Sequence, residues 1–365
     1  MDEKNLLIFM GLLTIIGFVG TFIFSKIIKT KYSEDAKRGI HTIKIFMACK
    51  FVFYFLSDFV LALSLKRWIV YRWMVVLIWS YMVLLLAIDC LILLKDINRY
   101  RKVSMTKSDY IKVVVSGCIV DIFPALCYLL LDAFDFFEGH TVIRLCIYVM
   151  VINLAFPVLT RFKYRKSKKV DTDFFTRIGE KKRKYIAYVY DGEFMKEANA
   201  MVCGITPPHH LYISNYLLNN LNEDEVDAVI CHEIGHIKKF HLFIKTAILM
   251  VDYGLVVCFG AMLDKYFSSV HFVISLSMFL AFGVFLALMY KWVARMQECQ
   301  ADRYAVIRTR KPEAMIRALE KFEELNMKLA GKENVGNLLA THPGLKRRVE
   351  KIRKIKLCNE IGKRM

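Results

Sequence analysis

Two histidines four residues apart, with a glutamate directly after the first, are the strongest chemical signal in this chain. They are His232, Glu233 and His236, within the stretch EVDAVICHEIGHIKKFH at residues 225–241. Positions i and i+4 of a helix project from the same face, so the two imidazoles could bind one tetrahedral zinc ion. The glutamate could then hold a zinc-bound water and take its proton. The pattern predicts one Zn²⁺ per chain, and a solvated helix with two ordinary histidines is the alternative.

A catalytic zinc site needs a third protein ligand and one open position. The candidates elsewhere in the chain are His209, His210, His241, Glu298 and His342. We favour Glu298, because Glu298 and Asp302 are four residues apart in ARMQECQADRYA, residues 294–305, on a second predicted helix. Glu298 could bind the metal while Asp302 orients a histidine through its other ring nitrogen. An acid pair on an ordinary charged helix is the alternative.

Short strands and a capped helix start are predicted around the histidine motif. The runs YIAYVY, NAMVCGI and LYIS favour strands and are separated by turn residues, which predicts a small β-meander. In LNEDEVDAVI, Asn222 is the predicted N-cap of the next helix, with Glu225 as its capping-box partner. We expect the helix that begins there to carry both histidines and to continue into the apolar run that follows.

The chain is too apolar for an ordinary soluble protein. Its 365 residues are 56% hydrophobic, whereas roughly 45 to 50% is usual. Seven runs approach the roughly 20 residues that a helix needs to cross a bilayer: 6–28, 45–65, 73–94, 113–131, 142–160, 242–263 and 272–290. The fifth is the weakest because Arg144, Asn153 and Pro157 lie in or near it, and a re-entrant segment is its alternative. We predict a mainly α, polytopic membrane protein with about seven transmembrane helices.

The basic residues indicate the orientation of these spans. The formal net charge is +19, and the Lys and Arg residues collect beside the apolar runs, which indicates membrane topology and not a nucleic-acid partner. Cytoplasmic loops carry an excess of Lys and Arg, and basic segments follow the first, third and fifth spans. The N-terminus is therefore predicted outside, with five spans in residues 1–160 and two further spans in 242–290. Residues 161–241 and the helical part at 291–365, which completes the zinc site, are predicted in the cytoplasm.

Four sequence blocks in the same order resemble the integral-membrane zinc peptidase family that includes the type 1 CAAX prenyl protease and the HtpX heat-shock protease. The blocks are NAMVCG, HEIGH, ECQAD and THPGLKRRVEKI, within residues 185–355. The resemblance implies a cytoplasmic, gluzincin-like zinc peptidase domain. It also implies that His232, His236 and Glu298 bind the zinc and that Glu233 is the catalytic base.

The resemblance implies roles for five further residues. Asp302 would support a zinc ligand, and His342 would stabilise the oxyanion of the reaction intermediate, with Arg348 as a supporting residue. Entry into a helix is the alternative role for His342. Asn199 and Ala200 would lie on an edge strand that pairs with an extended peptide substrate, and a purely structural strand is the alternative.

Together these features predict a membrane-embedded zinc endopeptidase that hydrolyses peptide bonds at the cytoplasmic face. Its partners would be the lipid bilayer and a peptide or membrane-protein substrate, with or without a lipid, and no nucleic acid. Seven spans favour the prenyl-protease type, and quality control of unfolded segments is the HtpX-like alternative. Two other classes remain: a signal transducer resembling the antibiotic-sensing receptor peptidases, and a metal-binding transporter without hydrolysis. The transporter would use acidic residues in the spans, namely Asp58, Asp89, Asp121 and Asp252.

Overall fold

The computed structural model describes residues 3–65, 71–113, 140–170, 173–204, 206–267, 272–326 and 344–361. It is mostly helical with a small four-stranded sheet, which confirms the predicted mainly α class. The chain divides into two compact units. The first contains Met1–Phe136 and two short later segments, and the second contains Phe137–Glu193, Glu197–Asn326 and Ala330–Met365.

The first unit contains three long helices that share a buried polar network. They are α1 (Glu3–Lys31), α2 (Ala36–Leu65) and α3 (Tyr71–Arg101). Asp89 on α3 is fully buried, and its carboxylate accepts hydrogen bonds at 2.6 Å from Thr21 on α1 and Tyr54 on α2. The ammonium group of Lys50 on α2 lies 3.2 Å from the same carboxylate. A buried charge must be paired and hydrogen-bonded, and the partners of Asp89 lie on all three helices, so the network joins them. These contacts explain the buried Asp89 as a structural residue, and no transport path is needed to explain it.

Three helices in the described part of the chain are long and apolar enough to cross a membrane. The segments are Gly11–Lys31, His241–Gly260 and Ser277–Thr309, and they overlap the predicted first, sixth and seventh spans. The predicted spans 45–65, 73–94 and 142–160 are helical, lying in α2, α3 and α4 (Thr141–Lys163), while their insertion into a bilayer stays a prediction. Apart from its first residue, the predicted span 113–131 lies outside the described residues. The total of seven spans therefore also stays a prediction.

The second unit contains a sheet in which the strands are not in sequence order. The strands are β1 (Lys168–Val170), β2 (Tyr185–Tyr190), β3 (Ala200–Cys203) and β4 (His209–Ser214), arranged β1-β2-β4-β3. β2 and β4 are parallel, and the two outer pairs are antiparallel. Three of the four strands, β2, β3 and β4, lie where the sequence predicted them, and β1 was not predicted. The predicted β-meander is wrong, because in a meander each strand pairs with the next one along the chain. β4 is buried at five of its six positions, which suits the centre of a sheet, and the shorter, less buried β3 takes the edge.

The helix with the histidine motif is α7 (Glu223–Lys238), which follows two short helices, α5 (Phe174–Arg177) and α6 (Asn215–Asn220). Its start has the predicted capping box: the Glu225 N–H donates to Asn222 Oδ1 at 3.0 Å, and the Asn222 N–H donates to Glu225 Oε2 at 3.1 Å. These bonds satisfy amides that a helix start would leave unpaired. The buried Glu225 carboxylate also binds Arg317 and Lys321 of α10 (Pro312–Leu325). The cap thus anchors the start of α7 to a second helix.

α7 does not continue into the next helix, contrary to the expectation from the sequence. α7 ends at Lys238, and Phe240 has a left-handed backbone conformation with φ 54°. The N–H groups of Lys239 and Phe240 donate to carbonyls inside α7, which is the usual way a helix is closed at its C-terminus. The following helix, α8 (His241–Phe267), begins directly after Phe240. His241 is therefore the first residue of a separate helix.

Small side chains allow α7 to pack directly on α9 (Phe272–Thr309). A Cβ atom on Gly235 would lie 3.2 Å from the Cα of Ala301 and 3.2 Å from the Cβ of Tyr304. Ala301 and Ala305 are themselves fully buried. Because the two backbones approach so closely at Gly235, acidic side chains on α9 can reach the histidines of α7.

Candidate metal centre

Three side chains on α7 and α9 converge with their ligand atoms close together. His232 Nε2 and His236 Nε2 are 3.2 Å apart, and the Glu298 carboxylate oxygens lie 3.5 Å from each of them. Among the described residues, these three form the group of His, Cys, Asp and Glu side chains that could hold a metal ion. Ligand atoms that are each 2.0–2.1 Å from one tetrahedral zinc are about 3.3–3.4 Å apart. The donor set and its spacing therefore fit Zn²⁺.

Asp302 and Arg348 lie behind His232. His232 Nδ1 is 2.9 Å from Asp302 Oδ1, and Arg348 on α11 (Leu345–Ile361) donates two hydrogen bonds to the Asp302 carboxylate, at 2.7 and 2.5 Å. Burial lowers the pKa of His232, but the Asp302 and Glu298 carboxylates outweigh burial and raise the pKa to about 9. The two carboxylates therefore favour a positive charge at this position. Because Asp302 holds Nδ1 of His232, Nε2 of the same ring faces the other two ligands.

His241 lies behind His236 and is not a member of the converging group. His241 Nδ1 is 2.9 Å from His236 Nδ1, and His241 Nε2 is 3.0 Å from Gln300 Oε1 on α9. Burial and the nearby charge of His232 lower the pKa of His236 to about 3, so this ring is neutral. The sequence offered His241 as a possible ligand, and the structure instead brings it to the far ring nitrogen of a ligand. Gln300 was missed, since an amide on a charged helix carries no signal of its own.

Glu233 lies next to the converging group and faces the sheet. Burial raises the pKa of its carboxyl to about 7, with the Glu298 carboxylate acting in the same direction and His232 acting against both. The backbone N–H of Val202, on β3, is hydrogen-bonded to this carboxylate. A carboxyl group with a pKa near neutrality can both take and return a proton.

The edge strand β3 has one paired side and one open side. The backbone of Asn199 is directed to β4, since its N–H donates to Ser214 Oγ and its carbonyl accepts from the Ser214 N–H. Backbone groups alternate along a strand, so Ala200 and Val202 present theirs to the open side, where Val202 meets Glu233. Of the two residues predicted to bind substrate, Ala200 thus directs its backbone N–H and carbonyl to the open side, whereas the Asn199 backbone is paired with β4. His342, the remaining predicted residue, lies outside the described residues.

A crystal structure with a similar fold exists. Ste24p of S. mikatae matches with a TM-score of 0.56 over 91% of this chain and 88% of that chain, at 18% sequence identity. At this identity the match indicates a common fold, and it extends over both units of the chain.

Two bacterial proteases are similar to this chain in sequence. Protease HtpX of Histophilus somni is 29% identical over 185 residues, 45% of this chain and 64% of that protein. Protease HtpX of Haemophilus influenzae is 27% identical over 182 residues, 44% of this chain and 64% of that protein. The chain thus spans less than two thirds of the length of these curated relatives. Residues 164–356, just over half of the chain and including every residue of the converging group, match the model of peptidase family M48. This chain therefore belongs to peptidase family M48.

Proposed function

We propose that the protein is a membrane-embedded, zinc-dependent endopeptidase. The observation that carries the proposal is the convergence of His232 Nε2, His236 Nε2 and the Glu298 carboxylate, with Glu233 beside them at an open strand edge. Membership of a peptidase family supports it, as do the three helices in the described ranges that are long and apolar enough to cross a bilayer. In the described residues nothing favours a signal transducer or a transporter over a peptidase.

His232, His236 and Glu298 would hold one Zn²⁺ per chain and leave one position open. When bound, zinc would polarise the scissile carbonyl and make water a better nucleophile. Glu233 would accept a proton from the attacking water and deliver it to the departing amine, so its own protonation state is restored after each cycle. Asp302 and Arg348 would hold His232 in its binding orientation. Stabilisation of the oxyanion by His342 stays a prediction.

The open side of β3 would bind the substrate as an added strand. Ala200 offers an N–H and a carbonyl to an extended peptide, and the next outward position, Val202, is bonded to Glu233. An added strand gains affinity from main-chain hydrogen bonds that do not depend on the substrate's sequence. The same pairing would bring a peptide bond next to the catalytic carboxylate.

The zinc domain and the C-terminus would face the cytoplasm, and the N-terminus would lie outside. The basic segments that follow alternate spans support this orientation. Cysteines introduced at the exposed residues Lys168 and Lys351 should react with a membrane-impermeant reagent only after the cytoplasmic face is opened. Reaction of either cysteine from the outside would reverse the proposed orientation.

Two substrate classes fit such a site. The fold likeness to Ste24p supports a CAAX-prenyl-protease-like substrate, a peptide that carries an isoprenyl chain. The sequence similarity to HtpX supports cleavage of extended segments in unfolded membrane proteins.

One experiment separates the two substrate classes and tests the activity itself. The purified protein is given a peptide with an isoprenylated cysteine near its C-terminus, the same peptide without the lipid, and a destabilised membrane protein. Each buried CH₂ contributes about 0.8 kcal/mol, so a lipid-binding enzyme should cut the lipidated peptide far faster. Equal rates for the two peptides, with faster cutting of the unfolded protein, would support the quality-control class. If no substrate is cut and a chelator changes nothing, the peptidase proposal fails.

A further inference from the structure

The far ring nitrogen of His236 is held by a pair of residues that cannot reach the metal position themselves. His241 Nδ1 lies 2.9 Å from His236 Nδ1, and His241 is only 1% exposed. The other nitrogen of His241, Nε2, lies 3.0 Å from Gln300 Oε1. His236 Nε2, in contrast, faces His232 and Glu298.

The positions of the hydrogens follow from the outermost residue. An amide oxygen can only accept a hydrogen bond, so the hydrogen between Gln300 and His241 is on His241 Nε2. In a neutral imidazole the other nitrogen is then an acceptor, and the hydrogen between the two histidines belongs to His236 Nδ1. His236 Nε2 is left without a hydrogen, and its lone pair faces the other two ligands.

We propose that His241 and Gln300 are positioning residues for the metal centre, fixing His236 in the tautomer and orientation in which Nε2 can bind zinc. The inference rests on the proposed zinc site and goes beyond it, since neither residue is a ligand. Asp302 has the corresponding place behind His232. The metal centre would therefore use two different supports, a carboxylate for one histidine and a neutral histidine–amide pair for the other.

The charges of the site explain why the second support is neutral. Glu233, Glu298 and Asp302 can supply three negative charges, and Arg348 with a bound Zn²⁺ would balance them. A carboxylate at the buried position of His241 would add an unbalanced charge to a largely buried cluster, which is costly. A histidine with an amide behind it orients the ligand without that cost.

The two positioning residues also connect the metal site to two long apolar helices, α8 and α9. His241 is the first residue of α8, placed by the break at Phe240, and Gln300 lies on α9. Both helices contain a segment able to cross a membrane. A change in how α8 and α9 pack would thus alter the orientation of a metal ligand.

Zinc affinity of the purified full-length protein, measured by competition with a chelator, tests the proposal. His241→Phe keeps a ring but removes the acceptor, and Gln300→Met removes the acceptor from an exposed position where folding is not at risk. Both should weaken zinc binding, His241→Phe by about 10- to 100-fold, as for other residues that orient a metal ligand. Gln300→Glu keeps an oxygen acceptor and should bind zinc at least as tightly as the wild type. Excess zinc should restore peptidase activity to His241→Phe.

Gln297→Met is the matched control, because Gln297 lies on the same helix and, among the described residues, donates only to the backbone carbonyl of His241, at 3.4 Å. Its zinc affinity should stay within about threefold of the wild type. The proposal is overturned if folded His241→Phe binds zinc like the wild type, if Gln300→Glu binds as poorly as Gln300→Met, or if Gln297→Met is as weak as Gln300→Met. If the wild-type protein binds no zinc, the proposed zinc-peptidase function itself is contradicted.

Discussion

Gly235 on α7 lies directly against Ala301 on α9, so closely that a Cβ on the glycine would be 3.2 Å from the alanine Cα. The two histidine ligands are on one of these helices, and the acidic ligand is on the other. The distance between the helices therefore sets the distances between the donor atoms, and the glycine inside the motif has a structural role of its own.

Gly235→Val should push α7 and α9 apart. We expect a loss of about 1–3 kcal/mol of stability, as for other overpacked contacts, together with weaker zinc binding, because Glu298 moves away from the histidines. Thermal unfolding in detergent and zinc titration measure the two effects. Gly254→Val is the control, since a Cβ at Gly254 meets nothing within 4 Å, and it should behave like the wild type. A Gly235→Val protein with normal stability and zinc affinity would contradict the close contact.

Arg348→Leu should be strongly destabilising. The buried Asp302 and the largely buried Arg348 are joined by two hydrogen bonds. Removal of the arginine leaves the Asp302 carboxylate without this partner, at a cost of about 3–5 kcal/mol. Zinc binding should weaken as well, because His232 loses its fixed support. The neighbouring Arg347 is exposed, so Arg347→Leu should leave stability and zinc affinity unchanged. Equal behaviour of the two variants would show that the pair has no such role.

Glu225 should make stability depend on pH. Burial alone would raise the pKa of its carboxyl, but hydrogen bonds from Lys321, the Asn222 N–H and Arg317 outweigh burial and lower the pKa. A lowered folded-state pKa means that the ionised carboxylate stabilises the fold above its ordinary pKa of about 4.3. That contribution disappears as the pH falls through the lower, folded-state value.

The variant Glu225→Gln should therefore be less stable than the wild type at neutral pH, by about 1–3 kcal/mol. The difference should shrink steadily as the pH is lowered below about 4.3, the ordinary pKa of a glutamate carboxyl. Thermal unfolding over a pH series provides the measurement. Glu223→Gln, in the same helical turn but 83% exposed, should show no such difference. A gap between Glu225→Gln and wild type that stays constant with pH would rule out the carboxylate as its source.

The open edge of β3 predicts a contrast between two adjacent proline variants. Ala200→Pro removes an N–H on the open side, which is tolerated in an edge strand, and should lower kcat/KM several-fold, since one hydrogen bond contributes about 1 kcal/mol. Met201→Pro removes an N–H that faces β4 and should lower stability instead. Zinc content should be normal in the Ala200→Pro protein. If Ala200→Pro cleaves peptides at the wild-type rate, the substrate does not pair with β3 at that position.

The parts of the site that follow local rules could be predicted from the sequence. Helical spacing placed His232 with His236 and Glu298 with Asp302, and the capping box of α7 depends on residues three positions apart. These inferences need only the geometry of a single helix, and the structure brings the two pairs together.

The parts that depend on packing between elements could not be predicted. The order of the strands depends on which strands pair with each other, and β4 lies between β2 and β3. The sequence of a single strand does not reveal its partners. The place of His241 behind His236 depends on the left-handed Phe240, which ends α7 early. The direction of the Asn199 backbone follows from its pairing with Ser214 across the sheet. His342 stays a prediction.

The central claim is that His232, His236 and Glu298 hold a zinc ion on which peptide hydrolysis by Glu233 depends. Zinc content and cleavage of an extended peptide, measured side by side for the wild type and Glu233→Gln, test it most directly. The glutamine variant keeps all three ligands and loses only the base, so we expect a full complement of zinc and no detectable cleavage. Glu298→Ala should lose zinc and cleavage together, since two ligands hold the metal poorly. Cleavage by Glu233→Gln at the wild-type rate, or by wild-type protein stripped of zinc, would contradict the account.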